Sequence, residues 1–186
     1  MKLKMQVNRV AIAAVVLLFG SAFWGCGIEK DYATPQRKLI ESYLTRNSLK
    51  ATITADSVYV VKAGNTLTPP PTEVAESGDV VVFYFAAYTF ASAPATTPYY
   101  TNKRWLAATL PNKPNLEYWN FDPIRTKLGD SEILNSIESA LLSCRKGDSL
   151  AAFFTSDITY GGLAMGVVPA NTALMMVLTI DDVIKQ

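Results

Sequence analysis

The C-terminal part of the chain carries the pattern that most constrains the fold, a run in which apolar side chains recur at every second residue. Between Ala173 and Val183, four residues fall on one side of an extended chain: Leu174, Met176, Leu178 and Ile180. A period of two is typical of a β-strand with one face buried. The run therefore predicts a final strand whose inner face belongs to the core.

Three further segments have the apolar character and the bounding turn residues of strands. They are residues 58–62, 80–85 and 150–155. A glycine-bearing turn lies beside each of them, and Gly64-Asn65 is predicted to end the first. Strands that outnumber helices in this way favour an α+β fold, in which an antiparallel sheet curls over one short helix.

Two helices are predicted. Thr34 and Pro35 are typical of a helix start, and the apolar face that follows, up to about Asn47, is expected to pack on the domain. The second helix is short and follows Asp130-Ser131, with four apolar residues on one face: Ile133, Leu134, Ile137 and Leu141. Residues 87–120 lack a regular pattern but are rich in aromatics, which indicates a long loop whose rings cover either the core or a ligand.

Composition excludes several kinds of chemistry. The chain has 186 residues, which suggests one domain, and 49% of them are hydrophobic, enough for a core. It has no histidine and only two cysteines, which excludes Ser-His-Asp and Cys-His hydrolysis and argues against structural zinc. We therefore predict no metal and no cofactor.

The N-terminus has the form of an export signal. Lys2, Lys4 and Arg9 precede an apolar run, residues 10–24, that is too short to span a bilayer as a helix. Gly25-Cys26 then resembles a lipoprotein cleavage box. Residues 1–25 are thus predicted as a signal peptide, Cys26 as the lipidated residue and residues 26–33 as a tether, with an ordinary secretory peptide as the alternative.

The predicted location follows from that signal. The protein is expected to be exported and lipid-anchored, on the periplasmic or the surface side of the outer membrane. Removing residues 1–25 takes away three of the 17 basic side chains and none of the 16 acidic ones, so a net charge of −2 remains. No basic surplus is left for nucleic acid. With Cys26 lipidated, Cys144 has no disulfide partner and is predicted to be a buried thiol.

The segment from Leu128 to Val183 carries a family resemblance. Its markers are Lys146-Gly147-Asp148, residues 156–161 (SDITYG) and residues 167–174 (VVPANTAL). Their order and spacing resemble the C-terminal half of an FKBP-type peptidyl-prolyl isomerase, and residues 78–85 resemble its early strand. The resemblance implies an FKBP-like domain over residues 78–186, preceded by a helix and first strand over residues 34–77, as in exported FKBP-like lipoproteins of Bacteroidota.

The resemblance implies a set of site residues. Tyr160 would be the catalytic residue and aim its hydroxyl at a substrate carbonyl. The substrate, a proline-containing peptide segment or envelope protein, would be bound by eight others: Phe85, Tyr100, Ile133, Leu134, Ile137, Val167, Val168 and Met176. Rotation of an X–Pro amide makes and breaks no bond, so an apolar cavity with a donor is sufficient without histidine.

Several positions depart from the family pattern. Ile137 stands in place of a tryptophan floor, Phe85 in place of a tyrosine, Thr101 in place of a carboxylate and Met176 in place of an aromatic, and Ala140 replaces a glycine. These changes predict an isomerase of low activity or none. Three functions remain open: a cell-envelope isomerase, a non-catalytic FKBP-like peptide-binding module, and a scaffold lipoprotein.

Overall fold

Seven antiparallel strands form a single sheet in the computed structural model, which describes residues 30–110, 115 and 117–186. The strands are β1 (Ala51–Ile53), β2 (Tyr59–Asn65), β3 (Val80–Phe90), β4 (Tyr100–Thr101), β5 (Ile124–Lys127), β6 (Asp148–Phe154) and β7 (Ala173–Ile184). The helices are α1 (Ala33–Arg46), α2 (Arg104–Ala107) and α3 (Asn135–Leu141), with a 3-10 turn at Ser156–Ile158.

The sheet runs in the order β1-β2-β6-β7-β3-β4, and β5 also pairs with β3. Its centre is the long pair of β3 and β7, which extends from Val80 opposite Ile184 to Phe90 opposite Ala173. A register shift between Val82 and Phe83 interrupts this pair, and such irregularities bend a strand. The predicted α+β fold with an antiparallel sheet is confirmed.

The two faces of the sheet bury different clusters. On the inner face, α3 packs against a core that contains all four alternating residues of β7, from Leu174 to Ile180. On the outer face, Ile40 and Leu44 of α1 pack against Phe153 and Met175. The predicted inner face of the last strand and the predicted packing of the first helix are both confirmed.

Some predicted boundaries were wrong. Gly64 and Asn65 continue β2 rather than turning it, because both residues pair with β6 after a register shift. Helix α1 begins at Ala33, so Thr34 lies inside it and Tyr32 occupies the N-cap. Ile133 precedes α3, since Leu134 at its N-cap is extended, with φ −57° and ψ 131°.

The segment predicted to be an export signal, together with Cys26, lies outside the described residues. Residues 32–186 form a compact unit. Within the part of the chain that the structure describes, no helix has both the length and the apolar character needed to cross a membrane. Cys144 is buried as predicted, and burial, then the nearby Asp148 carboxylate, raises the pKa of its thiol to about 12.

The Asp79 carboxylate links the C-terminal residues to the start of β3. We expect it to make the free energy of unfolding depend on pH in the acidic range. Its Oδ2 accepts hydrogen bonds from Lys185 Nζ and the Glu76 backbone N–H, each at 2.8 Å. The Lys185 bond, then the Glu76 bond, lowers the pKa of Asp79. Its stabilising contribution is therefore complete above the unfolded-state pKa, about 3.9, and is lost as pH falls through the lower folded-state pKa.

Asp79→Asn should therefore unfold at a urea midpoint that changes less between pH 6 and pH 3 than the wild-type midpoint does. Asp130→Asn is the matched control, because Asp130 is exposed and pairs with Lys127 at 3.5 Å on the surface. A wild-type acid response that Asp79→Asn leaves unchanged would contradict this account.

Candidate functional site

A cavity of about 280 Å³ lies between the inner face of the sheet and α3. Its wall is almost entirely apolar side chains. Seven of the nine predicted site residues border it: Phe85, Tyr100, Ile133, Leu134, Ile137, Tyr160 and Met176. They come from five separate segments of the chain, so the fold assembles a site that is scattered in sequence.

Strand alternation and a helix turn aim these side chains inward. Phe85 and Met176 belong to the inner-face core cluster on β3 and β7, and Ile137 of α3 packs against the same cluster. Leu134, which is exposed at the N-cap of α3, lies at the mouth of the cavity. Among the described residues, no acceptor takes the backbone N–H of Leu134, so this donor is available to a bound carbonyl group.

Tyr160 brings a hydroxyl to the apolar wall, and Tyr99 lies beside it. Burial, then the neighbouring Tyr160 hydroxyl, raises the pKa of Tyr99 above its ordinary value. The Tyr99 phenol therefore remains protonated near neutral pH and can donate a hydrogen bond. Tyr99 was not among the predicted site residues, because in sequence it is one of many aromatics in an irregular loop.

The loop that carries Tyr160 is held from both ends by α1. Gln36 accepts a hydrogen bond from the Ser156 backbone N–H through Oε1 and donates one to the Asn171 carbonyl through Nε2, each at 2.7 Å. Inside the loop, the Gly161 backbone bonds to Ser156 at 2.7 Å and to Asn171 at 2.8 Å. The helix thus fixes the loop that presents Tyr160, and no sequence pattern marked Gln36 for this role.

Val167 and Val168, expected as one wall of the site, do not border the cavity. Val168 is 1% exposed and belongs to the core, whereas Val167 is 75% exposed. The reason is a tight turn in which Met165 and Val168 exchange backbone hydrogen bonds of 2.9 and 3.0 Å. That turn directs one valine into the core and leaves the other at the surface.

Tyr100 and Thr101 have different roles although they are adjacent. Tyr100 packs edge-on against Phe85 and Trp119, with ring centroids 5.1 and 5.0 Å apart. Thr101 is fully buried and donates its hydroxyl proton to the Phe85 carbonyl at 2.6 Å. Thr101 therefore braces the strand pair rather than the cavity, and part of the aromatic loop packs on itself.

The site can bind and desolvate a small apolar group while offering hydrogen bonds to a carbonyl. Its titratable side chains are tyrosines, and within the described residues no cluster of His, Cys, Asp or Glu could hold a metal ion. The residues that border the cavity include no nucleophile with an adjacent base.

Comparison with known proteins identifies the fold. No protein-family model and no curated protein matches the chain. Among solved structures, it is similar to a peptidyl-prolyl cis-trans isomerase from Pseudomonas syringae pv. tomato, with a TM-score of 0.54 and 13% identity over 83% of this chain and 94% of that one.

Two further structures are similar. FkpA from Escherichia coli gives a TM-score of 0.56 and 14% identity over 97% of this chain and 72% of that one. The structure of the three FKBP domains of wheat FKBP73 gives a TM-score of 0.55 and 15% identity over 74% of this chain and 52% of that one. The chain therefore has the FKBP-like fold of these structures.

Proposed function

We propose that the protein is an FKBP-like peptidyl-prolyl cis-trans isomerase of low activity. It acts at the cell envelope on proline-containing segments of other envelope proteins and is anchored through lipidated Cys26. The observation that carries this proposal is the apolar cavity bordered by Tyr160, Phe85 and Ile137. Mass spectrometry of the mature N-terminus tests the anchor, which requires an acylated cysteine there.

The cavity suits the reaction because the barrier to X–Pro rotation is loss of amide resonance, about 18–20 kcal/mol. A twisted amide is less polar than a planar one, so loss of water destabilises the planar amide more and lowers the barrier to rotation. A volume of about 280 Å³ lies near the lower end of small-ligand sites, about 300–1,000 Å³. That size fits one prolyl ring, with the Tyr160 hydroxyl and the Leu134 N–H as candidate donors to substrate carbonyls.

The second candidate is a non-catalytic FKBP-like peptide-binding module. A scaffold lipoprotein, which would not bind peptides in the cavity, is a variant of this candidate. Thr101 favours this second function. It stands where the family has a carboxylate, and its hydroxyl is used in a buried hydrogen bond to the Phe85 carbonyl, so this position presents no acidic group to the cavity. Ile137 in place of an aromatic floor also leaves the site without a flat surface beneath a prolyl ring.

Tyr160→Phe is the variant that separates these functions. If the protein isomerises peptides, the variant should lose about tenfold in kcat/KM, because a hydrogen bond to the rotating amide contributes about 1–1.5 kcal/mol. A protease-coupled assay on a proline tetrapeptide measures the loss. Tyr118→Phe is the matched control, because Tyr118 is 81% exposed and does not border the cavity.

Two outcomes would contradict the isomerase proposal. If the wild-type protein binds the peptide without turnover, the peptide-binding module is the correct function. If it neither binds nor turns over the peptide but co-purifies with another envelope protein, the scaffold function is correct.

A further inference from the structure

A second, larger cleft of about 640 Å³ lies on the outer face of the sheet, away from the Tyr160 cavity. Its floor is the cross-strand pair of Tyr84 and Thr179. Helix α1 covers this face farther along the same strands, near Phe90 and Met175. The cleft therefore lies on the part of the outer face beyond α1, between residues 102–105 and 121–122.

Lys103 places a cation in this cleft without an anionic partner. Its side chain is half-buried, and its Nζ donates to Thr179 Oγ1 at 2.8 Å. Within the described chain, no carboxylate forms an ion pair with it. Burial lowers the pKa of Lys103. A partly desolvated ammonium that bonds only to a neutral hydroxyl retains two free donors and an uncompensated charge.

The neighbouring residues add a second cation and two aromatic surfaces. The Arg104 guanidinium lies 4.5 Å from the centroid of the Phe121 ring, where a cation–π contact holds it. Trp105 also lines the cleft and is 70% exposed. A large indole left in water beside two cations is typical of a surface that binds a ligand.

The cleft is already braced before any ligand binds. Asn102 accepts a hydrogen bond from the Phe85 backbone N–H at 2.7 Å and donates to the Asp122 carbonyl at 3.0 Å, which ties the two sides of the cleft together. Asp122, an acidic residue, also lines the cleft. With Lys103 and Arg104, that acid leaves a local charge of +1, which suits a monoanion better than a dianion such as phosphate.

We propose that this cleft binds a carboxylate carried on an apolar or aromatic group. The Lys103 ammonium pairs with the carboxylate, and Trp105 contacts the apolar part. The site is independent of the isomerase proposal, because it lies on the opposite face of the sheet and its lining shares no residue with the cavity. Its ligand is either a free aromatic acid or an acidic residue of a peptide.

Titration of the ¹⁵N-labelled protein with benzoate tests the proposal. Benzoate should shift the amide resonances of Asn102, Lys103 and Trp105 without shifting that of Tyr160. Benzamide, its neutral isostere, should bind at least about tenfold more weakly, since a hydrogen-bonded charge pair contributes about 1.5–3 kcal/mol. A capped peptide with a single glutamate, titrated in parallel, distinguishes a peptide source from a free acid.

Variants complete the test. Lys103→Met keeps the apolar stem and should weaken benzoate binding by about tenfold or more, whereas Lys127→Met, at an exposed ion pair, should leave it unchanged. Trp105→Ala changes an exposed residue, so it retains the fold and should weaken benzoate binding more than acetate binding. Equal binding of benzamide, shifts confined to the Tyr160 cavity, or no shift with benzoate would each overturn the proposal.

Discussion

Phe154→Ala is expected to lower the free energy of unfolding by about 3–5 kcal/mol, the range for removing a large aromatic from a core. Phe154 is the last residue of β6, pairs with Leu174 of β7 and is completely buried. Its ring also borders the inner cavity. The truncation therefore removes buried apolar surface and enlarges a void that the surrounding strands cannot close.

Urea denaturation followed by circular dichroism measures this effect. Leu163→Ala is the control: Leu163 is 69% exposed in the loop after Tyr160, and its truncation should change stability by less than about 0.5 kcal/mol. A loss below about 1.5 kcal/mol for Phe154→Ala would mean that the core around β6 collapses to fill the space.

Gln36→Leu is expected to destabilise the protein by about 1–3 kcal/mol and to loosen the Tyr160 loop more than the rest of the domain. The substitution keeps the helix but removes both 2.7 Å hydrogen bonds that Gln36 makes to the loop ends. The N–H of Ser156, a buried residue, then has no partner, and an unsatisfied buried donor costs about 1–3 kcal/mol.

Hydrogen exchange reads out the local part of this prediction. The Gly161 and Asn171 amides, whose bonds close the loop, should exchange faster in Gln36→Leu. Amides in the β3–β7 pair should exchange faster only to the extent that the free energy of global unfolding falls. Lys38→Ala, at an exposed position of the same helix, is the control. Uniform acceleration across the domain would show that Gln36 supports the fold generally rather than this loop.

Most of the fold could be predicted because its signals are local. The alternation in residues 173–183 marked both the last strand and its buried face. The apolar character of residues 80–85 marked the start of β3, although the strand extends to Phe90. The burial of Cys144 was expected from its position between Leu142 and Arg145, just after an apolar helical segment. In each case the relevant information lies within a few residues, where strand and helix geometry relate spacing to burial.

The candidate site could be predicted only in part. The family resemblance brought Tyr160, Ile137 and Phe85 to one place, and the structure places them around one cavity. The structure does not place Val167 and Val168 at that cavity, because side-chain direction in a tight turn depends on its hydrogen bonds and not on motif order.

Residue order and composition were enough to predict the strand faces, the α+β class and the absence of histidine chemistry. Three other features depend on contacts that exist only in the folded chain: Gln36 holds the Tyr160 loop, Tyr99 lies beside Tyr160, and Lys103 faces an outer cleft. Gln36 and Ser156 are 120 positions apart, and Lys103 and Thr179 are 76 apart. Contacts across such separations leave no periodic trace in a chain, because they arise only when distant strands and loops are brought together.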